Sequence, residues 1–184
     1  MPAIRRLTAA DAERYWATRN AALAAHPDAF TSTHDEGLAT SPAKLAKRFG
    51  DGGDDNFMLG AFADDGTLLG YIGFERETRA KLRHKGAIIS MFVASTARGQ
   101  GLGARLLDEA VAQARQLAGL EQLWLSVTRS NDSARQLYLR AGFVSYGVEP
   151  HAIKDGGRYF DKEFMVLRFV AEPSATPRGS AGTK

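Results

Sequence analysis

The stretch richest in chemical potential is Arg98-Gly99-Gln100-Gly101-Leu102-Gly103-Ala104, which separates an apolar run from a helical pattern. A glycine-rich strand-to-helix turn leaves several backbone N–H groups unpaired beside the positive end of the helix dipole. Such a turn binds phosphate or pyrophosphate without needing a side chain. Glycine also lets the backbone approach the anion closely and adopt φ > 0 where the turn demands it. A kinase-type P-loop is excluded, because Gly103-Ala104-Arg105 stands where Gly-Lys-Ser/Thr is needed. A dinucleotide turn is excluded too, since the spacing is Gly-x-Gly-x-Gly and not Gly-x-Gly-x-x-Gly. The plain alternative is a structural turn whose glycines serve tight packing.

Two further groups carry chemistry. Asn131 and Tyr138 are seven residues apart, about two helical turns, and so share one face of a helix. Glu75 and Glu77 alternate on one side of a strand, if it persists that far, and are candidate proton acceptors. Their plain role is that of exposed strand-end charges. Cysteine is absent and the four histidines are scattered. That removes disulfides, a thiolate zinc site and an acyl-cysteine relay, and no metal site is expected.

The elements that must position these residues follow from periodicity. Ala87–Ala94 is apolar and β-branched, suited to a strand buried on both faces. The helix after the turn puts Leu102, Leu106, Ala110, Ala114 and Leu117 on one stripe. Glu121–Val127 is a second buried strand, parallel to the first because a helical crossover joins them. A helix capped by Asn131 or Asp132 follows and ends at Gly142. Ahead of this block come a strand at Ala3–Leu7, a helix capped by Thr8 and stopped at His26-Pro27, and a helix opened by Ser41-Pro42. Asp65-Gly66 between two apolar runs signals a hairpin. Arg79–Lys85 reads as a basic, solvated loop, and Val144–Phe169 as two antiparallel strands around Asp155-Gly156-Gly157.

With 184 residues and 44% hydrophobic content, the chain makes one domain with a real core, expected over residues 1–170. Pro173, Ser174, Pro177, Gly179, Ser180 and Gly182 mark 171–184 as a disordered tail. No apolar run reaches membrane-spanning length and no signal-peptide core follows Met1, so a cytoplasmic protein without membrane contact is expected. The net charge of +3 is mild, and acidic and basic residues are interspersed. It suits a phosphate-rich ligand as well as nucleic acid, and no nucleic-acid-binding motif is recognisable, so no such partner is expected.

Arg98, Gly101 and Gly103 fill the three defined places of the acyl-CoA-binding motif Arg/Gln-x-x-Gly-x-Gly/Ala, and the block resembles the GCN5-related N-acetyltransferases (GNAT). Asn131, Tyr138 and the terminal Gly142-Phe143 are similar to that family's second cofactor-binding motif. Glu149-Pro150-His151, Gly157-Arg158-Tyr159 and Asp161 look like the C-terminal pattern of one bacterial subgroup whose substrate is unassigned. The resemblance covers about residues 3–169, most specifically 87–105 and 131–143.

The resemblance implies a single α/β domain: a mixed, mostly antiparallel sheet flanked by helices on both faces. It implies an enzyme that moves an acetyl group from acetyl-CoA, its cosubstrate, directly to a small-molecule or peptide amine, with no covalent intermediate. In the family the central strand splays from its parallel neighbour, and the pantetheine arm lies in the gap. By position, the backbone of Met91, Phe92 and Val93 meets that arm and the acyl oxygen. Arg98, Gly99, Gln100, Gly101, Leu102, Gly103 and Ala104 hold the pyrophosphate, Asn131 contacts pantetheine and Tyr138 reaches the sulfur as catalytic acid. Glu77, with Glu75, is the candidate base, although proton loss through water would need neither. Trp16, Phe30 and His34 stand where the acceptor wall would be, with core packing or exposure as their plainer roles. Glu75, Glu77, Glu149, Asp161 and Glu163 outnumber nearby basic residues, so a cationic acceptor is expected. A homodimer is left open. The alternative from another class is a CoA-binding or acyl-CoA-sensing module without turnover.

Overall fold

The computed structural model describes residues 1–51 and 53–169. The tail expected at 171–184 lies outside the described residues. Seven strands form one sheet in the order β1-β2-β3-β4-β5-β7-β6. They are β1 (Ala3–Arg6), β2 (Asn56–Phe62), β3 (Leu68–Arg76), β4 (Lys85–Val93), β5 (Gln122–Thr128), β6 (Val144–Asp155) and β7 (Arg158–Arg168). Among the described residues only β4 and β5 run parallel, and every other pair is antiparallel. Five α-helices accompany them: α1 (Ala12–Ala25), α2 (His34–Leu38), α3 (Pro42–Asp51), α4 (Leu102–Arg115) and α5 (Asp132–Arg140).

Alternation on β3 divides the core between the two faces of the sheet. Ile72 and Phe74 point to the face covered by α4, whose Leu102, Leu106, Leu107, Ala110 and Ala114 are buried against it. Tyr71 points the other way, into a smaller cluster with Tyr15 of α1, Leu45 of α3 and Met58. Each leucine that α4 buries in full contributes roughly 1.5–3 kcal/mol, enough to outweigh the helix's own modest propensity. The expected strands and helix ends hold within a residue or two. Within 29–40, a stretch that reads as a loop or broken helix, the short helix α2 forms, opened by a capping box in which Thr33 N–H donates to Glu36 and Glu36 N–H to Thr33.

The entry to α1 carries a strong polar contact. Arg5 donates through two nitrogens to Asp11 at 2.7 and 2.8 Å, and Thr8 N–H donates to the same carboxylate at 2.9 Å. These donors hold the Asp11 carboxyl well below the usual carboxylate range. Asp11→Asn should therefore lower unfolding stability by about 1–2 kcal/mol in urea titrations at pH 7. Because the folded pKa is depressed, that contribution is present above pH ~4 and fades as the pH falls. The two proteins should converge in acid.

Candidate functional site

The parallel pairing of β4 with β5 stops early. It consists of Lys85 with Gln122, Gly86 with Leu123 and Ala87 with Trp124. Strand β4 continues to Val93, so along Ile88–Val93 the edge facing β5 has no ladder partner among the described residues. The two strands diverge there and open a cleft of about 890 Å³. Backbone edges sheltered from water need partners. A strand-like ligand arm lying in the gap supplies them.

A bulge shapes β4 inside this cleft. Tyr71 pairs with Phe92 and Gly73 with Ile89, so Ile72 alone stands opposite Ser90 and Met91. Ser90 takes φ +53°, left-handed for a residue that is not glycine. That conformation costs about 1 kcal/mol and re-aims the peptide groups around it.

The cleft ends on the glycine turn. Gly99 and Gly101 have φ of +76° and +72°, and a Cβ on either would meet nothing within 4 Å. The turn's surface is thus open to a bulky anion. Gly101 caps α4, whose first N–H groups at Leu102, Gly103 and Ala104 have no carbonyl behind them. Gly103 lies where a Cβ would come within 3.3 Å of Met91 and 3.5 Å of Leu137, which keeps α4, β4 and α5 close. Arg98 is braced from within: Nε donates to Val93 O at 3.1 Å, and Nη2 lies 3.0 Å from His26 Nε2. Arginine has no lone pair to offer, so His26 Nε2 is the acceptor there.

On the opposite wall, Asn131 caps α5 by accepting from Ala134 N–H at 3.2 Å. Tyr138 is buried, with its ring edge-on to Phe143 at 5.9 Å. Burial pushes its hydroxyl up to about 12, with no neighbouring charge or hydrogen bond offsetting the shift. Lys162 reaches in from β7, donates to Thr31 Oγ1 at 2.6 Å, and is held below the usual lysine range by burial.

Of the residues expected at a site, Met91, Phe92, Val93, Arg98, Gly99, Gly101, Leu102, Gly103, Ala104, Asn131 and Tyr138 all line this cleft. Gln100 turns back to Thr96 O. Glu77 is not brought here. Strand β3 ends at Arg76, and Glu77 N–H donates to Lys85 O, at the end of β4 away from the bulge. Five residues of strand separate Lys85 from Ser90, about 17 Å. Glu75 is no better placed, because its carboxylate pairs with Arg48. Phe30 lines the cleft, whereas Trp16 packs into the smaller core and His34 is exposed.

Sequence reasoning missed Ser90, His26, Lys162 and Arg19 of α1, all of which face the cleft. For Arg19 a signal was present, since Tyr15 and Arg19 stand four residues apart on one helix face. For the other three there was none.

A family model described as the acetyltransferase (GNAT) family matches residues 19–143. The chain belongs to the GNAT acetyltransferase family. Among GNAT relatives, it is 32% identical over 137 residues to the mycothiol acetyltransferase of Salinispora tropica, 74% of this chain and 45% of that protein. It is 31% identical over 111 residues to the L-methionine sulfoximine/L-methionine sulfone acetyltransferase of Pseudomonas aeruginosa, 60% of this chain and 63% of that one. It thus spans about half to two thirds of these curated relatives. An acetyltransferase of the GNAT family from Streptococcus pneumoniae superposes with TM-score 0.82 at 25% identity, covering 91% of this chain and 99% of that one. A GNAT phosphinothricin acetyltransferase of Sinorhizobium meliloti, solved with acetyl-CoA, matches in fold with TM-score 0.76 at 24% identity, covering 95% and 91%. No helix among the described residues is long and apolar enough to cross a membrane.

Proposed function

We propose that this protein transfers an acetyl group from acetyl-CoA to an amine. The observation that carries the reading is the unpaired edge of β4 running into the glycine turn. An extended arm with amides and a pyrophosphate at its far end fits both parts at once.

Each step is assigned to the chain's own groups. The N–H groups at Leu102, Gly103 and Ala104, with Arg98, hold the pyrophosphate. Backbone groups of Met91, Phe92 and Val93 align the arm and donate to the thioester oxygen as it gains charge. Asn131 fixes the arm from the other wall. The amine nitrogen bonds to the acyl carbon and the C–S bond breaks. The amine proton passes to water in the open cleft, and the Tyr138 hydroxyl supplies a proton to the departing sulfur. Solvent then restores the tyrosine. A neutral phenol is the right species for this, and burial keeps Tyr138 neutral.

The test is free CoA release from acetyl-CoA across a panel of amines, with acetyl-CoA affinity measured alongside. Turnover with at least one amine is expected. Binding of acetyl-CoA without turnover on any acceptor would favour a non-catalytic acyl-CoA sensor instead. No binding would end both readings.

A further inference from the structure

Arg19 is a sheltered cation without an anion. Its Nη2 donates to Ser32 Oγ at 3.3 Å, while Nη1 is buried and has no hydrogen-bond partner among the described residues. It takes part in none of the ion pairs formed among the described residues. The guanidinium lies beside the hydroxyls of Tyr15 and Tyr71, whose rings are 4.9 Å apart. The Tyr71 hydroxyl, close to that guanidinium, is buried and makes no well-formed hydrogen bond among the described residues. Tyr15 in turn reaches Ser90, the bulge residue of β4. Unused donors thus converge next to the point where the thioester carbonyl is proposed to sit. Orphan buried donors are rare and call for an acceptor.

The charges around the cleft agree. Arg19, Arg98, Arg140 and Lys162 line it, against Asp28 as the lone carboxylate among its described lining residues. Arg98 stands in the turn at the phosphate end, and Arg140 closes α5. Arg19 and Lys162 instead bond to the adjacent residues Ser32 and Thr31. Of the five carboxylates expected to favour a cationic acceptor, three are engaged elsewhere: Glu75 with Arg48, Glu163 with Arg135, and Asp161 accepting from His151 N–H. Glu77 stands at the far end of β4, and Glu149 pairs across the strands with Lys162 and acts on its charge. Of Arg19 and Lys162, Arg19 is thus the cation with no carboxylate among the described residues.

We propose that Arg19, assisted by the Tyr15 and Tyr71 hydroxyls, binds the carboxylate of the acceptor, so that the substrate is an amino acid or close analogue acetylated on the neighbouring amine. A guanidinium fork matches a carboxylate in two parallel hydrogen bonds, and the adjacent amine is then directed toward the bulge of β4. The proposal rests on the transfer reading above and narrows it to one acceptor class.

The experiment compares each of a set of amino acids with its amide and with its decarboxylated amine. Wild type, Arg19→Gln and Arg19→Lys are assayed by CoA release, with acetyl-CoA affinity by calorimetry. Wild type should prefer at least one free amino acid over its amide by tenfold or more in kcat/KM, about the discrimination a lost polar partner produces. Arg19→Gln should raise KM for that amino acid about tenfold or more, erase the preference, and leave acetyl-CoA affinity unchanged. Arg19→Lys, which keeps the charge but not the fork, should fall between. Equal use of amide and acid by wild type, or an unchanged KM in Arg19→Gln, overturns the assignment. If Arg19→Gln does not fold, the wild-type preference and Arg19→Lys decide. If acetyl-CoA binds but nothing turns over, the transfer reading has failed separately. Calorimetry of amino acid against amide in the presence of CoA then judges Arg19, and equal binding rejects it.

Discussion

In Gly101→Asp, acetyl-CoA affinity is expected to fall about 100-fold in a protein that still folds. Position 101 caps α4 with φ +72°, and open space lies where a side chain would project. Nothing in the chain resists the substitution sterically. A carboxylate there faces the proposed pyrophosphate. Two unit charges about 5 Å apart at an effective dielectric near 20 repel by roughly 3 kcal/mol, which is about two decades of affinity. The left-handed backbone costs any L-residue about 1 kcal/mol, and Asn and Asp bear it best. Gly101→Asn is therefore the matched control: same shape, same backbone cost, no charge. Calorimetry should find Asn close to wild type and Asp far below it. Equal affinities for Asp and wild type, with both folded by thermal melt, would remove the phosphate from this turn.

Tyr138→Phe is expected to lower kcat about 100-fold with little change in acetyl-CoA affinity, the usual scale for losing a positioned proton donor. The substitution keeps the ring on Phe143 and deletes only the oxygen. A purely structural tyrosine would instead lose about 1 kcal/mol of stability and no rate. The pH dependence separates the readings further. With its pKa raised to about 12 by burial, Tyr138 stays protonated through pH 10, so the alkaline limb of kcat should not come from this residue below that pH. By the same shift, stability is unaffected by this group below the unfolded value near 10 and falls as the pH climbs from there through the folded one, because unfolding lets the phenol ionise. A wild-type kcat in Tyr138→Phe, with chemistry shown to be rate-limiting, would take the hydroxyl out of the reaction.

What could be read in advance was local. Asp65-Gly66 makes the β2–β3 turn with Gly66 at φ +82°, Ser41 Oγ caps α3 by accepting from Lys44 N–H, and Gly142 ends α5 at φ +90°. Each is a short-range preference of the backbone, visible in two or three letters. The parallel pairing of β4 and β5 was legible for a similar reason, since a helical crossover allows little else. The bulge was not. Ile89-Ser90-Met91 continues a regular strand pattern, and a left-handed serine leaves no glycine to announce it. Glu77 misled because alternation says which side of a strand a residue takes, not how far along the cleft its strand reaches. The pairing of Arg98 with His26 spans 72 positions, and Lys162 with Thr31 spans 131. Only the folded chain brings such partners together.

The short seam between β4 and β5 has a consequence for the lifetime of the protein. Among the described residues, the ladder that joins the two halves of the sheet has three residue pairs, extended by Glu121 and Gln122 N–H donating to His84 O. A ligand lodged beyond that seam bridges both halves, and by mass action it stabilises only the folded chain. At a free concentration 100 times its dissociation constant, it adds about 2.7 kcal/mol. An increment of that size is a large share of a typical domain's margin, and it reduces the unfolded fraction about a hundredfold. Resistance to proteolysis would then follow the supply of the acyl donor. A cell starved of it would clear this protein faster than a cell that is replete.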